Sequence, residues 1–491
     1  MAIGQASAPA AITPAPGAPL VLARVLCVLA LGVVAAPGIA LGALAVRCAR
    51  GRTAAQRFAA RRTARVLQRL GPAFVKAGQL VGTRRDLLPA AVVEELSALQ
   101  ESVRPLPERI ARRALAQAYG TDLDRIFSTV RYEPVASGSV ACVYRASLPS
   151  GEQVALKLRR PGVARRMAAD LALIRAFVRL GARLPALRGV PVVAMVDRVC
   201  EAVRGQLDFV GEAAHLDLLG RHLVGLPVAL VPAVHPELCR PTCLVMEFVP
   251  DLRLDAARDS GRLARSRLAH ATLDVVFEML FVNGFVHCDL HPGNLYHRSD
   301  GRVVVLDAGF CVWLPERTRW QFSEFFFNFG RGNGRRCAEV VIASAVGRRH
   351  DSDEQRFTAG VVDLVRRTSR VPARDFSLIS FSAELFDLQR ACGLYASPDF
   401  IFPLVSIMAL EGTLRELDPH LDFQAAAMPT LLHALATGPR KPTGTPGGGT
   451  GVPTGGAETS NGATGTPTNS AETATSSAET VTGSTERGPT R

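Results

Sequence analysis

The chain reads as an α+β protein of two lobes, set behind a helical extension and one apolar helix. Three observations predict this. Helical periodicity runs from Arg52 to about Leu106: Leu67, Leu70 and Phe74 fall at i, i+3, i+7, and Val92, Leu96 and Leu99 at i, i+4, i+7. Short β-rich pieces take over from Tyr132, at Ala141–Ala146, Gln153–Leu158 and Thr242–Phe248. Beyond Pro250 helices return, interrupted by β-like runs around Phe285–His287 and Val303–Leu306.

Residues 1–19 are rich in Ala, Pro and Gly and carry no charge, which predicts a flexible lead. From Val25 to Val46 there is again no charge, and this run suffices to cross a bilayer at ~20 residues per span. A transmembrane helix is therefore predicted over 20–46; Pro37, Gly32, Gly38 and Gly42 weaken it without excluding it. Arg47, Arg50, Arg52, Arg57, Arg61, Arg62, Arg65 and Arg69 follow with no acid among them. The positive-inside rule then places the C-terminal bulk in the cytoplasm, as a single-pass membrane protein. The alternative is a cleaved export signal, but Arg24 alone precedes the apolar run and an exported domain would lack ATP. The predicted divisions are a helical extension over 52–118, a β-containing smaller lobe over 119–249 and a helical larger lobe over 250–436. From Thr437 the chain is dominated by Gly, Thr, Pro, Ser and Ala; 437–491 cannot bury enough apolar surface to fold and is predicted to be disordered.

The net charge of +13 suits anionic lipid, nucleic acid or phosphorylated ligands. No zinc-finger spacing and no RNA-binding aromatic run is present, so nucleic acid is set aside and lipid and nucleotide lead. The ten cysteines are scattered; Cys239 and Cys243 form the only close pair and have no second pair to complete a zinc site. They read as reduced cytosolic thiols.

The chemistry begins at Val154-Ala155-Leu156-Lys157, an apolar strand ending in a lysine. That is the pattern of a kinase strand whose lysine holds the α and β phosphates of ATP. Many strands end in lysine, so alone it is a weak pattern. Upstream, Ala136-Ser137-Gly138-Ser139-Val140-Ala141-Cys142-Val143 supplies small residues whose backbone N–H groups can approach phosphate oxygens, followed by a valine to cover the adenine. A phosphate-facing lysine needs a carboxylate to orient it. Glu212 is the candidate, on a helix predicted from about Arg204 to Leu223, although a helical glutamate is more often solvated.

The strongest signal is Val286-His287-Cys288-Asp289-Leu290-His291-Pro292-Gly293-Asn294. Its Asp and Asn, five residues apart, match the H-R-D-x-x-x-x-N catalytic loop. Asp289 can accept a hydroxyl proton or orient a nucleophile, and Asn294 can offer an amide oxygen to Mg²⁺. Further on, Val303-Val304-Val305-Leu306-Asp307-Ala308-Gly309 is a buried strand ending in an acid, where kinases carry Asp-Phe-Gly. Asp307 would ligate Mg²⁺, a hard cation that prefers oxygen. His287 and His291 stand at i, i+4, but Pro292-Gly293 forbids a helix there, so they are read as structural. Helices, small sheet and large helical lobe, with these motifs in this order, predict a two-lobed protein-kinase-like fold.

Leu70-Gly71-Pro72-Ala73-Phe74-Val75-Lys76-Ala77-Gly78-Gln79 followed by Thr83-Arg84-Arg85-Asp86-Leu87-Leu88-Pro89 resembles the Lys-x-Gly-Gln signature of the UbiB (AarF) family of atypical kinases. The stretch Pro134–Val140 is similar to its alanine-rich loop, Leu207–Ala213 to its Glu-x-Asp segment and helix C, and Met246-Glu247-Phe248-Val249 to its hinge. The stretch Gly284–Asn294 is similar to its catalytic loop, and Glu411–Pro419 to its C-terminal signature. The resemblance covers about Arg62 to Asp422. It implies a kinase-like fold with the extension folded over the active site, where Lys76, Gln79, Gln206 and Asp208 form a regulatory lid. It implies binding of ATP or ADP with Mg²⁺, contacted by Ala136, Ser137, Gly138, Ser139, Val143, Ala155, Lys157, Glu247 and Val249. It implies work on isoprenoid-quinone or other lipid metabolism, with prenylated quinone or phenol precursors, or their biosynthetic enzymes, as partners. Three departures stand out. Gln206 replaces the first acid of Glu-x-Asp, Gly138 moves the alanine-rich loop toward a glycine-rich one, and Ala308 replaces the phenylalanine of Asp-Phe-Gly. The other readings are a nucleotide-binding scaffold without turnover and a small-molecule phosphotransferase; the latter class lacks a Lys-x-Gly-Gln extension.

Overall fold

The computed structural model describes residues 17–75, 78, 95, 104–182, 192–252, 261–290, 293–369, 371 and 375–437. Lys76, Gln79, Val92, Leu96, Leu99, His291 and Pro292, the lead up to residue 16 and the tail from 438 lie outside these residues. The described residues belong to one unit that ends at Thr443.

Helix α1 (Ala18–Leu70) joins the predicted span to the arginine-rich stretch. It starts within the predicted lead, at Gly17–Ala18, because Pro19 sits in its first turn, where a missing N–H costs nothing. Pro37 lies inside it without ending it. The one break is Gly51, at φ 83, ψ 179, where the two arms meet. Among the described residues it is the helix long and apolar enough to cross a membrane; the mean hydropathy of its most apolar window is 2.4, and none of that window is buried.

Helix α2 (Glu108–Tyr119) opens the smaller lobe and buries Ala111, Ala114 and Leu115. An antiparallel sheet follows in the order β1 (Thr129–Ser137), β2 (Ala141–Ser147), β3 (Gln153–Arg159), β5 (Cys243–Glu247). Three of these strands match the sequence reading within a residue or so. Strand β1 was not foreseen: Arg131, Glu133 and Pro134 spoil its alternation, and its register with β2 shifts between Arg131 and Ala136. Ala136 and Ser137 are consequently strand residues, paired with Val143 and Cys142, and the loop itself is only Gly138–Val140.

Helices α3 (Val163–Gly181), α4 (Val192–Gly205) and α5 (Phe209–Leu223) complete the smaller lobe. The single helix expected over Arg204–Leu223 is in fact two. Asp208 adopts extended geometry, and its carboxylate accepts the Gly211 N–H at 3.0 Å, so it caps α5 rather than continuing α4. Arg159 fixes the break by donating to the Leu207 carbonyl at 2.7 Å.

In the larger lobe, α6 (Arg262–Phe277) passes into a widened π-helical turn, Glu278–Asn283. Gly284 then turns the chain at φ 67, where an added Cβ would come within 2.9 Å of Arg319. This delivers β6 (Phe285–His287), which pairs with β9 (Cys311–Trp313). Strands β7 (Leu295–His297) and β8 (Val303–Val305) form the second hairpin, with β4 (Ala229–Leu230) parallel to β8. Helices α7 (Glu316–Gly330), α8 (Gly334–Ser344), α9 (Glu354–Thr368), α10 (Leu378–Ala391), α11 (Ile401–Leu417) and α12 (Phe423–Ala436) surround an aromatic core that includes Phe322, Phe326, Phe329 and Phe381. Glu411 and Asp418, from the C-terminal signature, are structural. Glu411 accepts the Ile379 N–H at 2.9 Å, and Asp418 accepts the Ser266 hydroxyl at 2.6 Å.

Candidate active site

The two lobes bring together three charged side chains that are far apart in sequence. Strand β3 directs Lys157 inward, α5 presents Glu212 from its first turn, and Asp307 follows β8. Lys157 Nζ donates to Glu212 Oε1 at 2.6 Å and lies 2.9 Å from Asp307 Oδ2. It also stands 5.4 Å from the centre of the Phe209 ring. The Glu212 side chain is sealed, at 0% exposure, whereas the Asp307 side chain is 40% exposed. Of the two carboxylates, Asp307 is therefore the one a ligand can reach.

Burial works against the Lys157 ammonium, yet Asp307 and Glu212 outweigh it and hold its pKa above the ordinary lysine value. Burial likewise works against Asp307, but Lys157, His287 and the Gly309 N–H hold it well below the usual carboxylate range. Glu212 differs. Burial is its largest influence and pushes it up to about 8, with Lys157 opposing and Asp307 adding to the rise. Its Oε2 is buried and has no hydrogen-bond partner among the described residues.

This asymmetry sets a pH dependence. Between its ordinary value of 4.5 and about 8, Glu212 keeps a proton in the folded chain that it releases on unfolding. Raising pH through that window therefore lowers stability. The contribution of Asp307 is lost only below its ordinary 3.8, and that of Lys157 only above 10.5. Thermal melts of the wild type compared with Glu212→Gln should show the wild type losing ground steadily from pH 5 to pH 8. A constant difference across that range would refute the assignment.

Asp307 takes a left-handed conformation, φ 55, ψ 76, unusual for a residue with a side chain, and its Oδ1 accepts the Gly309 N–H at 3.2 Å. A Cβ at Gly309 would lie 3.1 Å from Asp307 Oδ1 and 3.4 Å from Glu212 Oε2, so glycine leaves room for both acids. Ala308 is fully buried and its carbonyl accepts from His215 Nδ1 at 3.0 Å. Burial holds His215 below the ordinary histidine value, so it is neutral and donates from Nδ1. The anchor lost with the phenylalanine is replaced here by a hydrogen bond from α5. Gln206 is half-buried, with its backbone beside Gly309, and Asp208 is the helix cap described above.

The catalytic-loop residues are on the same side. Asn294 Nδ2 donates to the Asp289 carbonyl at 2.9 Å, which leaves Oδ1 as its acceptor. The Asn294 carbonyl in turn accepts the Leu306 N–H at 2.8 Å, next to Asp307. Asp289 is half-buried. His287 is buried; its Nδ1 accepts the Asp289 N–H at 3.1 Å and its Nε2 donates to the Leu306 carbonyl at 3.2 Å, a structural role as expected. The Ser406 hydroxyl donates to the His287 carbonyl at 2.8 Å.

The remaining predicted contacts line the smaller lobe. Ala155 and Val249 are buried, Val143 is half-buried, and Glu247 is exposed at the end of β5. Ser139 is buried in the β1–β2 turn. Arg160 braces that turn by donating to the Gly138 carbonyl and the Ser137 hydroxyl, both at 2.8 Å. Among the described residues no three His, Cys, Asp or Glu side chains converge as a metal site. One carboxylate and one carboxamide oxygen suit Mg²⁺ only where phosphate oxygens complete the shell.

A model of the ABC1 atypical kinase-like domain matches residues 98–341. The protein named Probable protein kinase UbiB of Pseudomonas paraeruginosa is 31% identical over 373 residues, which is 74% of this chain and 70% of the relative. The protein of that name from Azotobacter vinelandii is also 31% identical, over 74% of this chain and 69% of the relative. A solved complex of Rv3197 with erythromycin from Mycobacterium tuberculosis is similar in fold, with a TM-score of 0.51 at 21% identity. The match covers 74% of this chain and 93% of that one.

Proposed function

Because the chain belongs to the ABC1 atypical kinase-like family of the UbiB proteins, we propose that it is a membrane-associated ATPase or kinase. It would bind Mg²⁺-ATP between its lobes and serve isoprenoid-quinone or other lipid metabolism. The observation that carries the reading is the Lys157–Glu212–Asp307 cluster, assembled from both lobes with Asn294 and Asp289 alongside. In this reading Lys157 holds the α and β phosphates and Glu212 keeps it extended toward them. Asp307 and the Asn294 carboxamide hold Mg²⁺, which would neutralise charge building on the transferred phosphoryl group. Asp289 orients the attacking hydroxyl or water and takes up its proton. The Gly138–Val140 turn, braced by Arg160 and closed by the Gly138 N–H on the Ala141 carbonyl, offers the Ser139 and Val140 N–H groups to the phosphates. The acceptor is a small lipid-like molecule or water rather than a protein, as the resemblance of Lys76–Gln79 to the family's Lys-x-Gly-Gln extension implies. The arginines after Arg47 suit anionic headgroups, at ~1 kcal/mol each near the surface.

The test is nucleotide-dependent stability of the full chain in detergent. Mg²⁺-ATP at about a hundred times its Kd should add ~2.7 kcal/mol, read as a rise in melting temperature of a few degrees. Phosphate release with and without anionic vesicles then separates turnover from binding. No rise with Mg²⁺-ATP or Mg²⁺-ADP would remove the reading. A rise without any turnover would favour a nucleotide-binding scaffold, for which Gln206 and Ala308 are the residues that speak.

A further inference from the structure

The two arms of α1 fold back on each other at Gly51. A Cβ on Gly42 in the first arm would come within 2.5 Å of the Phe58 ring in the second, so the arms lie in contact. Arg24, near the start of the first arm, reaches the end of the second and the smaller lobe together. Its guanidinium donates to the Leu70 carbonyl at 2.6 Å and, bidentately, to Asp170 at 2.6 and 2.9 Å. Asp170 sits on α3, and its side chain is only 3% exposed. A buried carboxylate held by a planar guanidinium is a specific and directional contact. Without Arg24, Asp170 would stay buried without its bidentate partner.

This latch is incompatible with a crossing helix. The apolar run Val25–Val46 is ~33 Å long at helical rise, about the thickness of the hydrocarbon layer. Were it to span, Arg24 would emerge on the far side while Asp170 stayed with the domain on the near side. Nor can both arms enter upright together, because Arg52, Arg57, Arg61, Arg62, Arg65 and Arg69 on the second arm would enter hydrocarbon. One stripe of the first arm is half-covered, yet Leu22, Leu26, Leu29, Val33, Leu41 and Leu44 are each half or more exposed. An apolar face beside an arginine-rich one fits a helix lying at the interface of an anionic leaflet.

We propose that the apolar arm of α1, held to the kinase-like lobe by Arg24 and Asp170, lies in the plane of one anionic leaflet and does not cross the bilayer. This inference rests on the membrane-associated reading above. The test uses the full chain with a protease-cleavable tag ahead of Met1 and an equivalent tag after Arg491, added to preformed sealed vesicles of zwitterionic and anionic phospholipid. The chain should float with the vesicles, and external protease should remove both tags to the same extent. Flotation with the N-terminal tag protected until detergent is added would overturn the in-plane inference alone. Failure to float, including self-association in solution instead, would overturn it together with the membrane reading. In a Cys27→Ser, Cys48→Ser background that keeps Arg24 and Asp170, Gly42→Cys with Phe58→Cys should be joined across the two arms by a short bismaleimide in floated protein as in detergent. A crosslink formed only in detergent would show that the arms part on lipid and would refute the proposal.

Discussion

Asp307→Asn is expected to abolish the stabilisation that Mg²⁺-ATP gives the wild type, and to lower any phosphate release at least a hundredfold, about 2.7 kcal/mol of transition-state stabilisation. The change is small in shape. The amide can still accept the Gly309 N–H, which the Asp307 side chain now does at 3.2 Å. What disappears is the only carboxylate in the cluster that is both open to a ligand and held ionised. Glu212 cannot take over, because it is sealed and its affinity for a proton is raised. Titration calorimetry with Mg²⁺-ATP, beside phosphate release, checks the result. Unchanged binding in Asp307→Asn would sink the metal assignment.

Lys157→Met is expected to have the largest effect on the fold itself. It leaves Glu212 buried beside Asp307 with no cation between them, and removing one partner of a buried pair costs ~3–5 kcal/mol. Glu212 keeps its proton up to about 8 in the wild type and to higher pH once Lys157 is gone, so the melting-temperature difference from wild type should widen as pH rises above 8. Restoring neutrality with Glu212→Gln in the Lys157→Met background should recover a measurable share of the stability while nucleotide binding stays absent. If the double variant melts no higher than the single one, the loss comes from packing rather than charge. Thermal melts across pH, with and without Mg²⁺-ATP, distinguish these outcomes.

What could be read from the sequence, and what could not, follows the range of each interaction. Lys157, Asp289, Asn294 and Asp307 were legible because each sits in a short run whose spacing is itself the constraint. Glu212 was legible only once a partner for Lys157 was required. The break between α4 and α5 was hidden because the apolar pattern on both sides is helical, and the outcome turns on the side chain of Asp208 closing on the Gly211 N–H. Strand β1 was hidden by Glu133 and Pro134 at its register shift. His215, Arg160 and Ser406 carried no local signal at all. His215 meets Ala308 93 residues on, and Ser406 meets His287 across 119. The fold-back of α1 was equally out of reach, since it depends on a pair 146 residues apart. A chain-local reading finds the candidate site residues and misses those that hold them in place.

The contact between Ser406 and the His287 carbonyl bears on where the working unit ends. The segment shared with the kinase-like family model stops at Val341. Yet the backbone that carries Asp289 leans on a fully buried hydroxyl from α11, well beyond that limit. Helix α11 thus braces the strand that leads into Asp289 and is part of the scaffold of the candidate site. A segment that ended at Val341 would lack the hydroxyl that holds the His287 carbonyl.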